Sequence, residues 1–296
     1  MPPLEIHALS ELRAEAAALL AERFARQRAA EPLLPEVDDF EPLLPEQGQV
    51  ATRGGEAVAY LGGALDGDLA RWQFAGHAAR EPEALRDLFA LQAGELGVRR
   101  FMLTVPATDP VLVDVWFRLG FGCQAVWAVR EAEPVEPVEF GGTIRPATED
   151  DTQAAVELGG VLAELQLQPP SFSDRPVPSV EERARELHEC LGDDRFVELV
   201  AERGGRAVGW LSLYRRPEGD LRVPAANIDL AFAATRADVR GSGVGLALTG
   251  YALAWAVEHG CRSVTVDWRS VNLLSSRFWP RRGFRPQYLR LYRSVP

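Results

Sequence analysis

The stretch Arg240-Gly-Ser-Gly-Val-Gly245 decides the fold class of this 296-residue chain. It follows an apolar run, 228–235, that predicts a strand, and it opens the Ala- and Leu-rich run 243–258, which predicts a helix. Glycines at such a turn leave the first helix amides accessible, and the helix dipole adds partial positive charge there. The stretch therefore predicts a phosphate cradle in an α/β domain, although the same glycines also fit a turn that binds no ligand.

Two well-known phosphate motifs are excluded. A P-loop needs Gly-Lys-Ser/Thr, and all 32 basic residues of this chain are Arg. A Rossmann fingerprint needs Gly-x-Gly-x-x-Gly, whereas Gly245 comes two residues after Gly243 and is followed by Leu246. The absence of Lys also excludes a Schiff-base lysine.

Composition narrows the class of protein. The chain is 47% hydrophobic and 25% charged, which is typical of folded globular proteins. Its net charge of −11 argues against nucleic-acid binding. No apolar run reaches the ~18 residues of a membrane span, and the acidic N-terminus is unlike a signal peptide. Four scattered His and three Cys predict no metal site, and we expect free thiols in a cytoplasmic protein.

The chain repeats itself at offsets that grow along the sequence, which indicates a duplication followed by insertions in the second copy. The matched segments are 6–9 with 144–147 at an offset of 138, 51–61 with 201–211 at 150, and 116–121 with 279–284 at 163. The Pro-rich segment 131–142 between the copies predicts a linker. We therefore predict two domains, 1–138 and 139–296.

The second copy predicts an α/β sheet with some antiparallel hairpins. Its predicted strands are 142–146, 196–203, 207–214, 228–235, 262–268 and 287–293. Its predicted helices are 150–165, 180–190, 243–258 and 273–281. Each copy is thus expected to be a mixed central sheet flanked by helices.

The motif Arg-x-x-Gly-x-Gly after a strand resembles the signature of the GCN5-related N-acetyltransferases, the GNAT superfamily. The resemblance extends over 142–296, because Asn272, the aromatic pair Phe278-Trp279 and Gly283-Phe284 follow at the spacing of that family. It implies an α+β GNAT fold in both copies and acetyl-CoA as co-substrate. The expected activity is acetyl transfer to a primary amine of a small molecule or peptide, by direct attack.

The resemblance also implies which residues hold acetyl-CoA. The strand residues Ala233 and Thr235 would pair their backbone with the pantetheine arm. Asn272 and Ser275 would contact the same arm, and Asn272 is also a candidate helix N-cap. The pyrophosphate would lie on the glycine loop, on Arg240, Gly241, Ser242, Gly243, Val244 and Gly245.

The first copy lacks the glycine loop. At an offset of 163, residues 240–245 correspond to His77–Pro82, where Glu81 adds negative charge and Pro82 has no N–H to donate. Asn272 corresponds to Asp109. We therefore predict a degenerate first copy with a structural role.

Catalysis is predicted less completely. Asp229, on the apolar strand, is the candidate general base, and strand alternation places it on the face of Ala231 and Ala233 if no bulge intervenes; a solvated strand-start residue is the alternative. Asp267 is a weaker candidate. Trp279 stands where many GNAT members have a Tyr that acts as general acid, which leaves Tyr288 and Tyr292 as substitutes or as packing residues.

The predicted function is therefore that of a cytoplasmic N-acetyltransferase, a monomer or weak dimer. A non-catalytic acyl-CoA-binding or sensing protein is the second hypothesis, and a scaffold without ligand is the third. The Pro-rich segment 166–180 lies where the variable acceptor-binding segment of the family falls.

Overall fold

The computed structural model describes residues 2–172, 176–217 and 219–295, and Ser173–Arg175 of the Pro-rich segment lie outside this range. The chain forms two compact units. Unit 1 consists of Met1–Ala128 and Pro286–Pro296, and unit 2 is Val129–Arg285. Both are mixed α/β units, so the predicted fold class with two copies is confirmed.

The secondary structure of the first copy begins with a strand and a long helix. Its strands are β1 (Leu4–Ala8), β2 (Gly48–Arg53), β3 (Glu56–Gly62), β4 (Ala64–Asp66), β5 (Leu69–Trp72), β6 (His77–Ala79), β7 (Arg100–Pro106) and β8 (Gly122–Glu131). Its helices are α1 (Arg13–Ala30), α2 (Ala84–Leu96) and α3 (Pro110–Arg118).

The second copy repeats the pattern, and its elements agree with the predicted ones within a few residues. Its strands are β9 (Thr143–Pro146), β10 (Phe196–Arg203), β11 (Arg206–Tyr214), β12 (Asn227–Thr235), β13 (Ser263–Arg269) and β14 (Arg285–Ser294). Its helices are α4 (Thr152–Leu167), α5 (Val180–Leu191), α6 (Val244–Glu258) and α7 (Leu273–Phe278).

The compact units do not coincide with the repeat boundaries 1–138 and 139–296. The last strand of the second repeat, β14, belongs to unit 1 from Pro286 onward and pairs antiparallel with β7, with Leu291 opposite Leu103. Leu291 is fully buried in the core of unit 1. Sequence similarity alone could not reveal that β14 belongs to unit 1, because similarity between the repeats assigns each strand to the repeat in which it occurs along the chain.

Unit 2 is a sheet in the order β13-β12-β11-β10-β9 with helices on both faces. On one face, Leu158 of α4 and Leu187 of α5 pack on Val200 and Trp210. On the other face α6 lies against β11, where a Cβ on Gly209 would come within 2.8 Å of side-chain atoms of α6. Glycine at this position therefore permits the close approach of helix and strand.

The predicted linker packs on α6. A Cβ on Gly250 would lie 3.3 Å from Val135, and one on Gly243 would lie 3.3 Å from Val138. Phe140 is buried. The segment thus lies along α6 up to the glycine loop.

In unit 1, side chains lie between β6 and β7, the strands that correspond to β12 and β13. The His77 ring of β6 donates from Nε2 to the Thr104 carbonyl of β7 at 3.0 Å, and the Trp116 ring packs edge-on at 5.4 Å. The buried Arg23 of α1 donates to the carbonyls of Phe74 and His77 at 2.5 Å. The space between β6 and β7 of unit 1 is therefore filled by aromatic and polar side chains.

The correspondence predicted between His77–Pro82 and the glycine loop is wrong in register. His77–Ala79 forms β6, and the connection to α2 has only four residues, 80–83, against eight, 236–243, before α6. The amides of Arg80 and Glu81 both donate to the Val58 carbonyl, at 2.8 and 3.1 Å. The loop of unit 1 is shorter, and these two donors are used internally.

Burial of His77 predicts that unit 1 loses stability in mild acid. Burial, reinforced by the charge of Arg23, lowers the pKa of His77 to about 3. Because this folded-state pKa lies below that of an unfolded His, about 6.5, the unfolded chain takes up the proton first as the pH falls. We expect unit 1 to lose about 1 kcal/mol between pH 7.0 and 5.5, where carboxylates barely titrate.

The measurement is the free energy of unfolding of unit 1 in urea at pH 7.0 and 5.5. The full chain is used, and hydrogen exchange in peptides that contain β6 and β7 reports the unfolding of unit 1. His77→Gln keeps a donor for Thr104 and should flatten this pH dependence. An equal loss in His77→Gln and the wild type would contradict the assignment to His77.

Candidate functional site

The site of unit 2 begins where two parallel strands stop pairing. β12 and β13 are paired over four residues, from Asn227 with Ser263 to Leu230 with Val266. Beyond this point Ala233 and Thr235 of β12 remain paired with β11 on their other side. We call the end of the β12–β13 pairing, after Leu230 and Val266, the fork. Past the fork, the edge of β12 that faces β13 can pair with an extended ligand.

The glycine loop follows β12 and begins α6. Gly241 and Gly243 have left-handed backbones with φ of 82° and 91°, which non-glycine residues rarely adopt. The first α6 amide to find an acceptor in the helix is that of Ala247, which donates to the Gly243 carbonyl at 2.9 Å. The amides of residues 243–246 are therefore the donors that a helix N-terminus leaves without a partner in the helix.

A cavity of about 340 Å³ joins the loop to the fork. Eight of the ten residues predicted to bind acetyl-CoA line this cavity: Ala233, Thr235, Arg240, Gly241, Gly243, Gly245, Asn272 and Ser275. Ser242 and Val244 do not line it. The Ser242 hydroxyl instead donates to the Val239 carbonyl at 2.7 Å, and the Val244 side chain is buried.

The charges at the cavity are positive. Its described lining contains two arginines, Arg240 and Arg282, and no carboxylate. Neither guanidinium makes an ion pair with a carboxylate in the described parts of the chain. Burial and the neighbouring charge of Arg281 lower the pKa of Arg282, whose guanidinium lies 4.3 Å from the Phe278 ring centre. An anion entering the cavity would meet two cations together with the α6 amides.

Asn272 is the N-cap of α7. Its Oδ1 accepts from the amides of Leu274 and Ser275 at 3.1 and 3.2 Å, and the side chain is buried at the edge of the cavity. The position of Asn272 is therefore compatible with both predicted roles, as helix N-cap and as a contact of the pantetheine arm. The cap holds Ser275 at the cavity wall.

Asp229 lies on a different face from the one expected. The pairing of β11 with β12 shifts between Ser212–Phe232 and Leu213–Leu230, which leaves Ala231 as a bulge. Because a bulge reverses the alternation, Asp229 and Ala233 point to opposite faces of the sheet. Asp229 is buried and does not line the cavity.

The Asp229 carboxylate has a partner on each oxygen. Arg216 donates to Oδ2 at 2.5 Å and Thr265 Oγ1 donates to Oδ1 at 2.7 Å. Burial acts to lower the pKa of Arg216, but the charge of Asp229, the hydrogen bond to that carboxylate and the charges of Asp267 and Asp220 together outweigh burial and raise this pKa. The geometry thus gives a carboxylate fixed beside the fork rather than one open to solvent.

The aromatic groups that could supply a proton are arranged as follows. Trp279 is buried in the cavity wall and packs edge-on against Phe278 and Phe284, at 4.8 and 5.4 Å between ring centres. Tyr288 and Tyr292 belong to β14 in unit 1, and Tyr288 is fully buried there. Neither tyrosine lines the cavity of unit 2, so the proposed substitution for the missing Tyr finds no support.

Sequence reasoning missed Arg282, Arg216 and the apolar residues of α4 that complete the cavity. These are Val161, Leu162 and Leu165. Arg282 stands directly before the Gly-Phe pair, which is the signal that could have indicated it. For Arg216 no such signal exists, because it follows β11 and reaches Asp229 only through the antiparallel pairing.

Residues 162–284 match the sequence model of the Acetyltransferase (GNAT) family. This part of the chain is therefore similar to a family whose reaction is acetyl transfer, and every cavity-lining residue described above except Val161 falls within the match. No curated protein sequence matches this chain.

Two solved structures resemble the whole chain. A GCN5-related N-acetyltransferase from Sphaerobacter thermophilus has a TM-score of 0.62 at 16% identity, and the match covers 99% of this chain and 97% of that one. A tandem GNAT protein from the clavulanic acid biosynthesis pathway has a TM-score of 0.52 at 18% identity, over 99% of each chain. At these identities the likeness shows the fold alone, which is that of two copies of a mixed α/β unit.

Two further searches concern the described residues only. None of their helices combines the length and apolar character needed to cross a bilayer. No group of three or more His, Cys, Asp or Glu among them is placed to hold a metal ion.

Proposed function

We propose that the protein is an N-acetyltransferase that moves an acetyl group from acetyl-CoA to a primary amine of a small molecule or peptide, with one working site in unit 2. The observation that carries this proposal is the cavity between the glycine loop and the fork. It combines amides without helical partners, two cations and an open strand edge, with no carboxylate in its described lining.

The chemistry of this lining fits the donor. The amides of Gly241 and of residues 243–246, with the Arg240 guanidinium, would hold the pyrophosphate, and Val244 would contribute its amide rather than its side chain. Ser242 is not part of this set, because its amide and its hydroxyl both donate to the Val239 carbonyl, at 3.2 and 2.7 Å. Arg282 would add a second cation. The backbone of Ala233 and Thr235 would pair with the amides of the pantetheine arm, beside Asn272 and Ser275.

Acetyl-CoA supplies an activated thioester. The residues of this chain therefore need only position the two substrates, exclude water and stabilise the charge that develops on the reacting amine. The apolar side chains of α4, Phe278 and Trp279 form a dry wall around the arm. We assign the charge-handling role to Asp229, which lies beside the fork. Because both its oxygens already accept hydrogen bonds, direct proton abstraction by Asp229 requires Arg216 or Thr265 to move.

The variant Gly245→Ala tests the cavity without disturbing the fold. A Cβ at Gly245 would make only ordinary contacts, 3.6 Å from the Phe278 ring and 3.9 Å from Thr235, but both partners line the cavity. We expect thermal stability to stay level or rise by about 0.5–1 kcal/mol, because Ala favours the helix over Gly. Acetyl-CoA affinity should fall about tenfold or more, which is about 1.4 kcal/mol or more.

The measurement is calorimetric titration with acetyl-CoA, with Gly192→Ala as matched control. A Cβ at Gly192 meets only the carbonyls of His188 and Glu189, at 3.5 and 3.7 Å, and this residue does not line the cavity. Equal affinity of the wild type and both variants would show that acetyl-CoA binds elsewhere.

A non-catalytic acyl-CoA-binding or sensing protein is the second candidate function. The observation that favours it is Trp279, whose indole cannot usefully give up a proton where the family commonly has a tyrosine. A coenzyme thiolate can leave without a dedicated acid, so we place this candidate second.

Multiple turnover separates the two candidates. With acetyl-CoA and a panel of spermidine, tyramine and alanyl dipeptides, we expect continuous thiol release by the wild type. Asp229→Asn should slow it by about 10–100-fold, because the fixed charge is lost while the shape is kept. Tight acetyl-CoA binding without turnover of any amine would favour the sensing protein, and an unchanged rate in Asp229→Asn would remove that residue from the mechanism.

We also propose that unit 1 has lost acetyl-CoA binding and has a structural role. Its position between β6 and β7 holds His77 and Trp116, its connecting loop is four residues shorter, and the Arg80 and Glu81 amides are used internally. A monomer or weak dimer in the cytoplasm stays our prediction for the whole chain, and light scattering would test the oligomeric part of it.

A further inference from the structure

A chain of polar side chains ends on the Asp229 carboxylate. Ser263 Oγ donates to Asn227 Oδ1 at 3.0 Å, Asn227 Nδ2 donates to Thr265 Oγ1 at 2.8 Å, and Thr265 donates to Asp229. All four residues are buried, between 0% and 6% exposed, and they form the first and third of the four residue pairs between β12 and β13. Every donor points toward Asp229, so its oxygens act only as acceptors, as an ionised carboxylate does.

Arg216 provides the opposite charge. Its Nη2 lies 2.5 Å from Asp229 Oδ2, and its side chain is 23% exposed against 2% for Asp229. Its guanidinium also lies 5.7 Å from the Tyr214 ring centre, which limits its orientation. Besides Asp229, the negative charges of Asp267 and Asp220 also raise the pKa of Arg216 and so favour its charged form.

Stability alone gives little reason for this arrangement. Burying a carboxylate costs free energy, and replacing a buried ion pair with apolar side chains is often neutral or stabilising. The pair lies beside the fork, where the strand edge opens toward the cavity. A fixed negative charge there stabilises the positive charge that an amine nitrogen gains as it bonds to a thioester carbon.

We propose that Arg216 is a positioning residue of the acetyl-transfer site: through its ion pair it fixes the charge and orientation of Asp229 beside the fork. This inference rests on the proposed function. It concerns the transfer step and not acetyl-CoA binding, because neither residue lines the cavity. Arg216 therefore affects kcat, and the KM for acetyl-CoA is independent of it.

The experiment compares Arg216→Met, Arg216→Lys, Asp229→Asn and the double variant Arg216→Met/Asp229→Asn. Thiol release from acetyl-CoA is measured with the amine panel and with hydroxylamine, a small acceptor that needs little recognition. We expect Arg216→Met to lower kcat about 10–100-fold with KM for acetyl-CoA unchanged within about twofold. Arg216→Lys should recover most of the rate, and the double variant should be no slower than either single one.

Arg53→Met is the matched control. Arg53 of unit 1 pairs with Glu81 at 2.9 Å and is 22% exposed, close to the 23% of Arg216, but neither Arg53 nor Glu81 acts on the charge of Arg216 or lines the cavity. We expect its kcat to equal that of the wild type. Because Arg216→Met leaves a buried charge without its partner and could fail to fold, Arg216→Lys and the double variant keep the test decisive.

The outcomes are distinguishable. Wild-type turnover with an unchanged kcat in Arg216→Met and in the double variant overturns the role of Arg216 and leaves the proposed function intact. Equal losses in Arg216→Met and Arg53→Met overturn it as well, since the loss of any partly exposed ion pair would then explain both. A wild type that binds acetyl-CoA but accelerates neither hydroxylamine nor any amine overturns the proposed transferase function and, with it, this inference.

Discussion

The short pairing between β12 and β13 is the constraint on which the rest of the site depends. The two strands share only four residue pairs, and the bulge at Ala231 follows directly after the last of them. A strand that stops pairing exposes backbone donors and acceptors, which need a partner. The glycine loop, the first α6 amides and the arginines of the cavity are all arranged around this opening.

The two copies resolve the same constraint in different ways. In unit 2 the edge of β12 faces a cavity lined by apolar groups and cations, which suits a ligand with amides and phosphates. In unit 1 the His77 ring donates across to β7, and Arg23 binds the carbonyls of the same segment. The same fold can thus contain either a ligand cavity or a filled core. The difference lies in a few side chains and in the loop before the helix, which is four residues shorter in unit 1.

The sequence predicted most of the fold and the cavity, because these depend on local signals. The alternation of apolar runs gave the elements of the second copy, and Gly241 and Gly243 occupy backbone conformations that favour glycine.

The features that the sequence did not predict depend on pairing between distant segments. The Ala231 bulge reversed the face of Asp229, Arg216 reaches Asp229 only because β11 pairs with β12, and the shorter loop of unit 1 shifted the register of His77. The membership of β14 in unit 1 is likewise a property of sheet order, which no local pattern encodes.

We propose that only one of the two copies keeps an open ligand site. The stoichiometry of acetyl-CoA binding to the full chain, measured by calorimetry, tests this proposal most directly. We predict one acetyl-CoA per chain. Two per chain would show that the side chains of unit 1 move aside for the ligand, and no binding at millimolar acetyl-CoA would show that the cavity of unit 2 serves another purpose; either result would contradict the account.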